Sequence, residues 1–497
     1  MATVAEVNPL PPPGDAGLEP DPKRWLALAV IAVAQLMVVL DASIVNIALP
    51  SAQHALHISA ANRQWMVTAY TLSFGSLLLL GGRIADYTGR KRMFIIGLIG
   101  FAGASVLGGA AVNAPMLFGA RALQGAFGAL LAPAALSLIT VTFTEVKERS
   151  TAFGVYGAIA GGGAALGLIL GGVLTQYASW RWCLFVNVPI AALTAVAALP
   201  VVRESKAHGN TSYDIPGTVT VTAGLVALVY GFTKAASDGW TSSATLEFLA
   251  AAVVLLIAFV VIEVKSKNPL LPLRVILERN RGGSYLSSFM VGAGLLGMFL
   301  FLTYYFQGTL GYSALKAGFA FLPFSVGIII AAGVSSKLLP RAGPRPLMTV
   351  GFGAATAGML WLSRIGPDTG YLAHVLPAEL LISLGMGLAF VPMSSTSLFG
   401  VGDHDAGVAS ALVNTTQQVG GSLGTALLNT VAATATATYL VSRAPTHATV
   451  AAAQVHGYTV GFLVGGVCLL VATLSGAFIV KASKDDLHTA SGEVLPY

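Results

Sequence analysis

By length alone the 497-residue chain could hold roughly three soluble domains, but it is 55% hydrophobic, has a mean hydropathy of +0.77 and carries only 10% charged residues. That balance excludes an ordinary soluble protein and describes an all-α polytopic membrane protein. The formal net charge of +6 comes from short basic clusters between apolar runs, which reads as membrane orientation and not as a nucleic-acid surface.

Residues 1–24 are rich in Pro, Gly and acid and end in Lys23 and Arg24, ahead of an apolar run too long for a signal-peptide core. They read as a cytoplasmic tail before a retained first helix. Apolar stretches of membrane-spanning length, about 20 residues each, follow near 25–49, 64–82, 93–112, 115–142, 152–178, 182–202, 215–234, 245–264, 284–308, 316–337, 346–363, 371–396, 407–435 and 457–480, fourteen in all. The stretch 407–435 is the most polar and holds Asn414, Thr415, Thr416, Gln417 and Gln418, a face suited to lining a cavity. With the N-terminus inside, twenty basic residues fall on the cytoplasmic side and six outside, with Arg121 left in the membrane. This bias puts both termini in the cytoplasm and the chain in the plasma (inner) membrane.

"RIADYTGRKRMF" after the second span has a degenerate echo in "KLLPRAGPRPLM" after the tenth, with Gly89 aligned on Gly343. Two similar halves with a helix pair between them account for count and echo together. The expected organisation is a six-helix bundle over 25–202, two inserted helices with linkers over 203–282, a second six-helix bundle over 283–480 and a cytoplasmic tail over 481–497.

In chain order, the first motif is "LMVVLDASIVNIALP" (36–50), an apolar run with one carboxylate, Asp41, at a depth where a charge must face a protein interior. Next, "GGRIADYTGRKRMF" (81–94) joins two helices by a tight turn in which Gly89 permits close backbone approach, flanked by Arg83, Asp86, Arg90 and Lys91. A topology-fixing charged loop would look the same. "LFGARALQGAFGALLAPAA" (117–135) sets Arg121 and Gln124 on one helix face. Arginine stays charged in any surroundings, so Arg121 is either paired inside the bundle or snorkelling to the interface. "GVYGAIAGGGAALGLILGGVL" (154–174) places Gly163, Gly167 and Gly171 at four-residue spacing, a face for close helix packing.

These segments, with "RQWMVTAYTLSFGSLLLLGGRIAD", "SWRWCLFVNVPI" and "GVASALVNTTQQVGGSLGTALLNT", resemble the major facilitator superfamily, in particular its fourteen-helix drug:proton antiporter branch, over about residues 25–480. The resemblance implies the major facilitator fold, gating roles for Arg83, Asp86, Gly89, Arg90 and Lys91, and a part for Arg121 in proton transfer. The glycine run resembles the antiporter motif, but Ala164 and Leu168 stand among its glycines where that motif has prolines.

Counting about 1.5 Å per residue, Asp41, Arg121 and Glu379 lie roughly 13, 10 and 12 Å from the outer ends of their spans, so all three are candidates for proton coupling. Arg121 would favour an ionised Asp41 and desolvation a protonated one, a balance that makes the carboxylate switchable. Glu379 has three readings: a site for a cationic substrate, a second proton site, or a hydrogen bond between helices. For the substrate wall the candidates are Gln35, Met37, Tyr70, Gln124, Tyr304, Tyr305, Gln307, Asn414 and Gln418, several from the aromatic run "MFLFLTYYFQ" (298–307). The expected function is export of small amphipathic drugs, cationic ones included, by proton antiport. It needs no metal or cofactor beyond the proton gradient and no partner beyond the bilayer, as a monomer. The rivals are a dedicated exporter of one endogenous product, a proton symporter, and a polytopic membrane enzyme, for which the short loops carry no catalytic cluster. Cys183 and Cys468 are read as packing residues.

Overall fold

This computed structural model describes residues 22–143, 145–206, 214–266, 269–271, 273–401, 406–441, 443–444 and 446–483. Among them every regular element is a helix. The first group comprises α1 (Arg24–Ala55), α2 (Trp65–Thr88), α3 (Arg90–Gly109), α4 (Ala114–Thr142), α5 (Val146–Tyr177), the short α6 (Trp182–Phe185) and α7 (Asn187–Val201). Then come α8 (Ile215–Asp238), α9 (Ser243–Lys265) and the four-residue α10 (Leu273–Ile276). The last group is α11 (Arg279–Tyr304), α12 (Ala314–Ala320), α13 (Leu322–Ala342), α14 (Pro344–Leu362), α15 (Leu376–Ser397), α16 (Ala406–Leu440) and α17 (His447–Leu474). Wider π-helical turns follow α11 and α17 and precede α15.

Helical starts follow local chemistry. Asn113 accepts from the Met116 amide at 2.9 Å to begin α4, and Asp214, Ser242 and Ser313 do the same for α8, α9 and α12. Eleven helical segments among the described residues are long and apolar enough to cross a membrane, against the fourteen expected. The remaining long helices, α5, α14 and α16, have 32, 19 and 35 residues, and α16 carries the polar run at 414–418. Between α9 and α11 the one helix among the described residues is α10, with Leu270 before it and Val275 within it buried.

Helices α1–α7 pack with one another, as do α11–α17; α8 and α9 pair, and α8 lies against α2 and α16. The two groups meet along α2 with α16 and along α5 with α12 and α13. The turn between α2 and α3 and the turn between α13 and α14 each pivot on a glycine at positive φ, Gly89 at 130° and Gly343 at 76°. These are the two positions that the internal echo aligns, and both are backbone conformations that a side chain disfavours.

Close approach depends on absent side chains. Gly163, Gly167 and Gly171 of α5 face Leu36, Val39, Leu40, Ser43 and Ile44 of α1, and a Cβ on Gly167 would collide with the Ser43 hydroxyl. Arg24 then ties the same helices at one end, donating to both carboxylate oxygens of Glu148 at 2.8 Å. A Cβ on Gly171 would stand 2.8 Å from the Ile44 carbonyl oxygen, whereas one on Gly103 meets nothing within 4 Å. Gly171→Ala is therefore expected to lower the thermal unfolding midpoint in detergent, at a cost of about 1–3 kcal/mol, while Gly103→Ala leaves it level or slightly raised. Equal midpoints for the two variants would contradict the close α1–α5 contact.

Candidate functional site

Asp41 sits near the middle of α1, fully buried. Its Oδ2 accepts from Arg121 Nη1 at 2.6 Å, and its Oδ1 accepts from Gln124 Nε2 at 3.0 Å and Asn187 Nδ2 at 2.8 Å. Arg121 also donates to Gln124 Oε1 at 2.8 Å and, through Nε, to the Met66 carbonyl at 3.0 Å, with its guanidinium 4.6 Å from the centre of the Tyr70 ring. Gln124 Nε2 donates further to Ser105 Oγ at 2.8 Å. Helices α1, α2, α3, α4 and α7 thus converge on one ion pair. The arrangement follows from burial: a carboxylate and a guanidinium taken out of water are tolerated only when paired and with their remaining hydrogen-bonding capacity filled.

Beside this pair lies a cavity of about 300 Å³ whose walls include Arg121 and Tyr70. From the first helix group come Val39, Ala42, Ser43, Asn46, Val67, Thr71, Ala164 and Leu168; from the second come Leu296, Phe299, Phe324, Ser325, Ile328 and Gln418. A mainly apolar wall with a few polar anchors and one cation suits an amphipathic ligand. Asn414, one helical turn from Gln418 toward the basic end of the molecule, is exposed. At the opposite end the groups are joined: Gln307 Nε2 donates to the Ile47 carbonyl at 2.9 Å, and the Leu315 amide donates to Gln176 Oε1 at 3.3 Å. Arg63 donates to Asn429 Oδ1 at 2.9 Å and lies 4.3 Å from the Tyr304 ring centre. The inserted pair bonds to both groups there, because Thr233 accepts from Gln64 and Trp65 while the Phe232 carbonyl accepts from Thr430.

The structure brings together Asp41, Arg121, Gln124 and Tyr70, and it puts Tyr70 and Gln418 on the cavity wall. Gln124 serves the ion pair and is absent from that wall. Met37 is packed inside the core of the first helix group, so it too departs from the wall expected of it. Gln35 is half-buried and accepts from Tyr156 at 2.8 Å. Tyr304 faces Arg63, Tyr305 donates to the Gly366 and Thr369 carbonyls, and Gln307 joins the closed end, so these three also lie off the wall. The helical phase of "MFLFLTYYFQ" instead turns Phe299 inward.

Glu379 is fully buried in the second helix group, apart from Asp41 and Arg121. Tyr371 lies 3.4 Å from its Oε2, and its Oε1 has no hydrogen-bond partner. Phe299 packs on Phe321, Phe321 on Phe306 and Phe306 on Tyr371, an aromatic partition that runs from the cavity wall to the tyrosine beside the acid.

Where α2 turns into α3, Asp86 pairs with Arg90 at 2.7 Å and Lys91 Nζ donates to the Leu199 carbonyl, both contacts within the first helix group; Arg83 reaches the Pro269 carbonyl in the linker after α9. The Glu204 carboxylate accepts from the Lys91 and Arg92 amides at 3.0 and 3.1 Å and so caps α3, just where Gly89 lacks a Cβ. Sequence reasoning passed over Glu204, Ser105, Asn187 and Phe324. Only Asn187 had a visible signal, a lone amide inside the apolar "SWRWCLFVNVPI". Two further acids, Asp214 at the start of α8 and Glu263 near the end of α9, are also buried. Among the described residues no cluster of three or more His, Cys, Asp or Glu side chains is placed to hold a metal.

The Major Facilitator Superfamily profile matches residues 31–425. The chain is 49% identical over 500 residues to the puromycin resistance protein pur8 of Streptomyces alboniger, covering all of this chain and 99% of that one. It is 39% identical to the cephamycin export protein CmcT of Amycolatopsis lactamdurans, covering 82% and 85%, and 34% identical to the lincomycin resistance protein of Streptomyces lincolnensis, covering 81% and 83%. Among solved structures, a bacterial homologue of the human lysosomal transporter Spinster, inward-facing and unoccupied, superposes with a TM-score of 0.66 at 15% identity over 94% of this chain and 98% of that one. At that identity it speaks for the fold.

The buried pair makes a specific energetic demand. Arg121→Leu strands the Asp41 charge and is expected to destabilise the protein by about 3–5 kcal/mol, whereas Asp41→Leu combined with Arg121→Leu recovers most of the loss. Thermal unfolding of the single and double variants in one detergent checks this. A double variant no more stable than the single would show that the two side chains are not an isolated pair.

Proposed function

The chain belongs to the major facilitator superfamily, and from that premise we propose that it exports amphipathic, antibiotic-like molecules by proton antiport, exposing one central cavity to either face of the plasma membrane in turn. It is a multi-pass membrane transporter and not an enzyme. The proposed topology has fourteen crossings in a six, two, six order with both termini in the cytoplasm. The transporter works as a monomer with the proton gradient as its only energy source.

The observation that carries this reading is that Arg121 is at once the partner of Asp41 and part of the cavity wall. A ligand entering the cavity and a proton arriving at Asp41 therefore act on the same guanidinium. A proton on Asp41 removes the anion that holds Arg121, and an ionised Asp41 takes Arg121 back. Coupling follows when only one of the two events is compatible with each orientation of the helix groups. The conformation described here, joined at the end away from the basic clusters, supports a cytoplasm-facing member of that cycle. Opening outward requires Arg63 to leave Asn429 and Tyr304, and Gln307 to leave Ile47. On the cytoplasmic side the gate is formed by Arg83, Asp86, Gly89, Arg90 and Lys91. Glu379 keeps its three readings: a second proton site, a site for cationic cargo behind the aromatic partition, or a hydrogen bond between helices.

Cargo in the class named by the relatives supports an antibiotic as substrate, and the relative named for cephamycin export favours a second reading in which one compound is the dedicated cargo. In proteoliposomes with an imposed proton gradient, addition of puromycin, lincomycin or a cephamycin is expected to move protons for the true cargo. Asp41→Asn is expected to reduce this at least about tenfold while downhill exchange of cargo persists, the loss of one coupling group being worth more than 1.4 kcal/mol. Proton movement unchanged in Asp41→Asn would remove Asp41 from the mechanism. A response to one compound alone would select the dedicated exporter.

A further inference from the structure

We propose that Asn187 is a positioning residue that follows the charge of Asp41: its amide donates to the ionised carboxylate and turns to accept from the carboxyl once that is protonated. The proposal rests on the reading of Asp41 as the proton carrier.

Asn187 opens α7 and is fully buried. The atom 2.8 Å from Asp41 Oδ1 is the amide nitrogen, because an ionised carboxylate can only accept. The other end of the same amide, Oδ1, is buried and has no hydrogen-bond partner. An acceptor left this way costs free energy, and such exceptions in a native interior require a reason. Its neighbours offer a sharp contrast. Gln124 also donates to Asp41, but its Oε1 is held by Arg121 at 2.8 Å, so its amide is locked at both ends. Asn187 alone of these two amides has an end to spare.

Transfer of a proton from water to Asp41 Oδ1 makes an O–H bond there and neutralises the carboxylate, with no change of oxidation state. The Asn187 N–H then faces another donor. A half-turn about the last side-chain torsion, which is broad and roughly two-fold for Asn, brings Asn187 Oδ1 to the new proton and fills the vacant acceptor. The charged and titratable groups facing Asp41 from neighbouring helices, among the described residues, are Arg121 of α4, Tyr70 of α2 and Cys183 of α6. Of these three only Arg121 donates to the carboxylate, and it does so to Oδ2, so the amides of Gln124 and Asn187 set how firmly Oδ1 is held.

The test is an acid-minus-alkaline infrared difference spectrum of the purified full-length protein, followed through the carbonyl stretch of a protonated carboxyl. Asp41→Asn is expected to delete the band. Asn187→Leu, close in size but without donor or acceptor, is expected to keep the band, raise its frequency and move its pH midpoint up to about one unit to the alkaline side, since the bond lost from the charged form is stronger than the one lost from the neutral form. Asn187→Ser, whose hydroxyl both donates and accepts, is expected to return both readings most of the way. If Asn187→Leu does not fold, Asn187→Ala is read in its place. A folded deletion variant with unchanged frequency and midpoint overturns the role of Asn187 and leaves the antiport reading intact. A band that survives in Asp41→Asn overturns the reading of Asp41 itself.

Discussion

The ion pair between Asp41 and Arg121 is the constraint from which the rest of this molecule follows. Each charge alone would be costly in the middle of a membrane protein, where both side chains are almost wholly buried. Their 2.6 Å contact lowers that cost only because amides from α4 and α7, a hydroxyl from α3 and a backbone carbonyl from α2 satisfy the remaining donors and acceptors. Five helices must therefore hold a common register around one point. The cavity exists where this polar centre meets the apolar faces of α11 and α13.

Holding that register while two helix groups rock requires surfaces that are tight within a group and separable between groups. The α5 glycines let α1 approach so closely that a single added methyl would meet backbone or hydroxyl. Between the groups, the contacts at the end away from the basic clusters are of another kind. They are polar: Asn429 bonds Arg63, Gln64 and the Ala60 carbonyl, Gln307 bonds the Ile47 carbonyl, and Arg63 lies on Tyr304, all groups that water can satisfy in their place when the seam opens. The inserted α8–α9 pair bonds to both sides there through adjacent residues, Phe232 and Thr233. A helix pair that looks in sequence like a spacer is, in space, a strap across the seam.

The basic loop illustrates a separate economy. Gly89 permits the backbone to reverse, the exposed amides at the start of α3 need an acceptor, and the carboxylate of Glu204 supplies it from more than a hundred residues away. Asp86 and Arg90 then pair within one helical turn of each other. The turn is held by local geometry and by the segment that follows α7, with Lys91 reaching the Leu199 carbonyl and Arg83 the Pro269 carbonyl.

Sequence by itself determined the membrane class, the helical fold, most of the helices to within several residues at each end, the family, and Asp41 and Arg121 as buried charges in need of partners. Each of these depends on local composition, on the length of an apolar run, or on the rule that a buried charge needs an opposite one. The aligned glycines at 89 and 343 were legible for the same reason, since a reversed backbone leaves a local mark. Tertiary structure alone decided which side chains face the cavity, because adjacent residues on a helix differ by about 100°, so the five positions from Phe299 to Tyr304 leave Phe299 on the wall and carry Tyr304 about 140° around the helix, onto Arg63. It alone separated Glu379 from Asp41, for equal depth along two helices says nothing of the distance between their axes. And it alone brought Asn187 to Asp41 across 146 positions, because an amide in an apolar run announces that it needs a partner without saying which one.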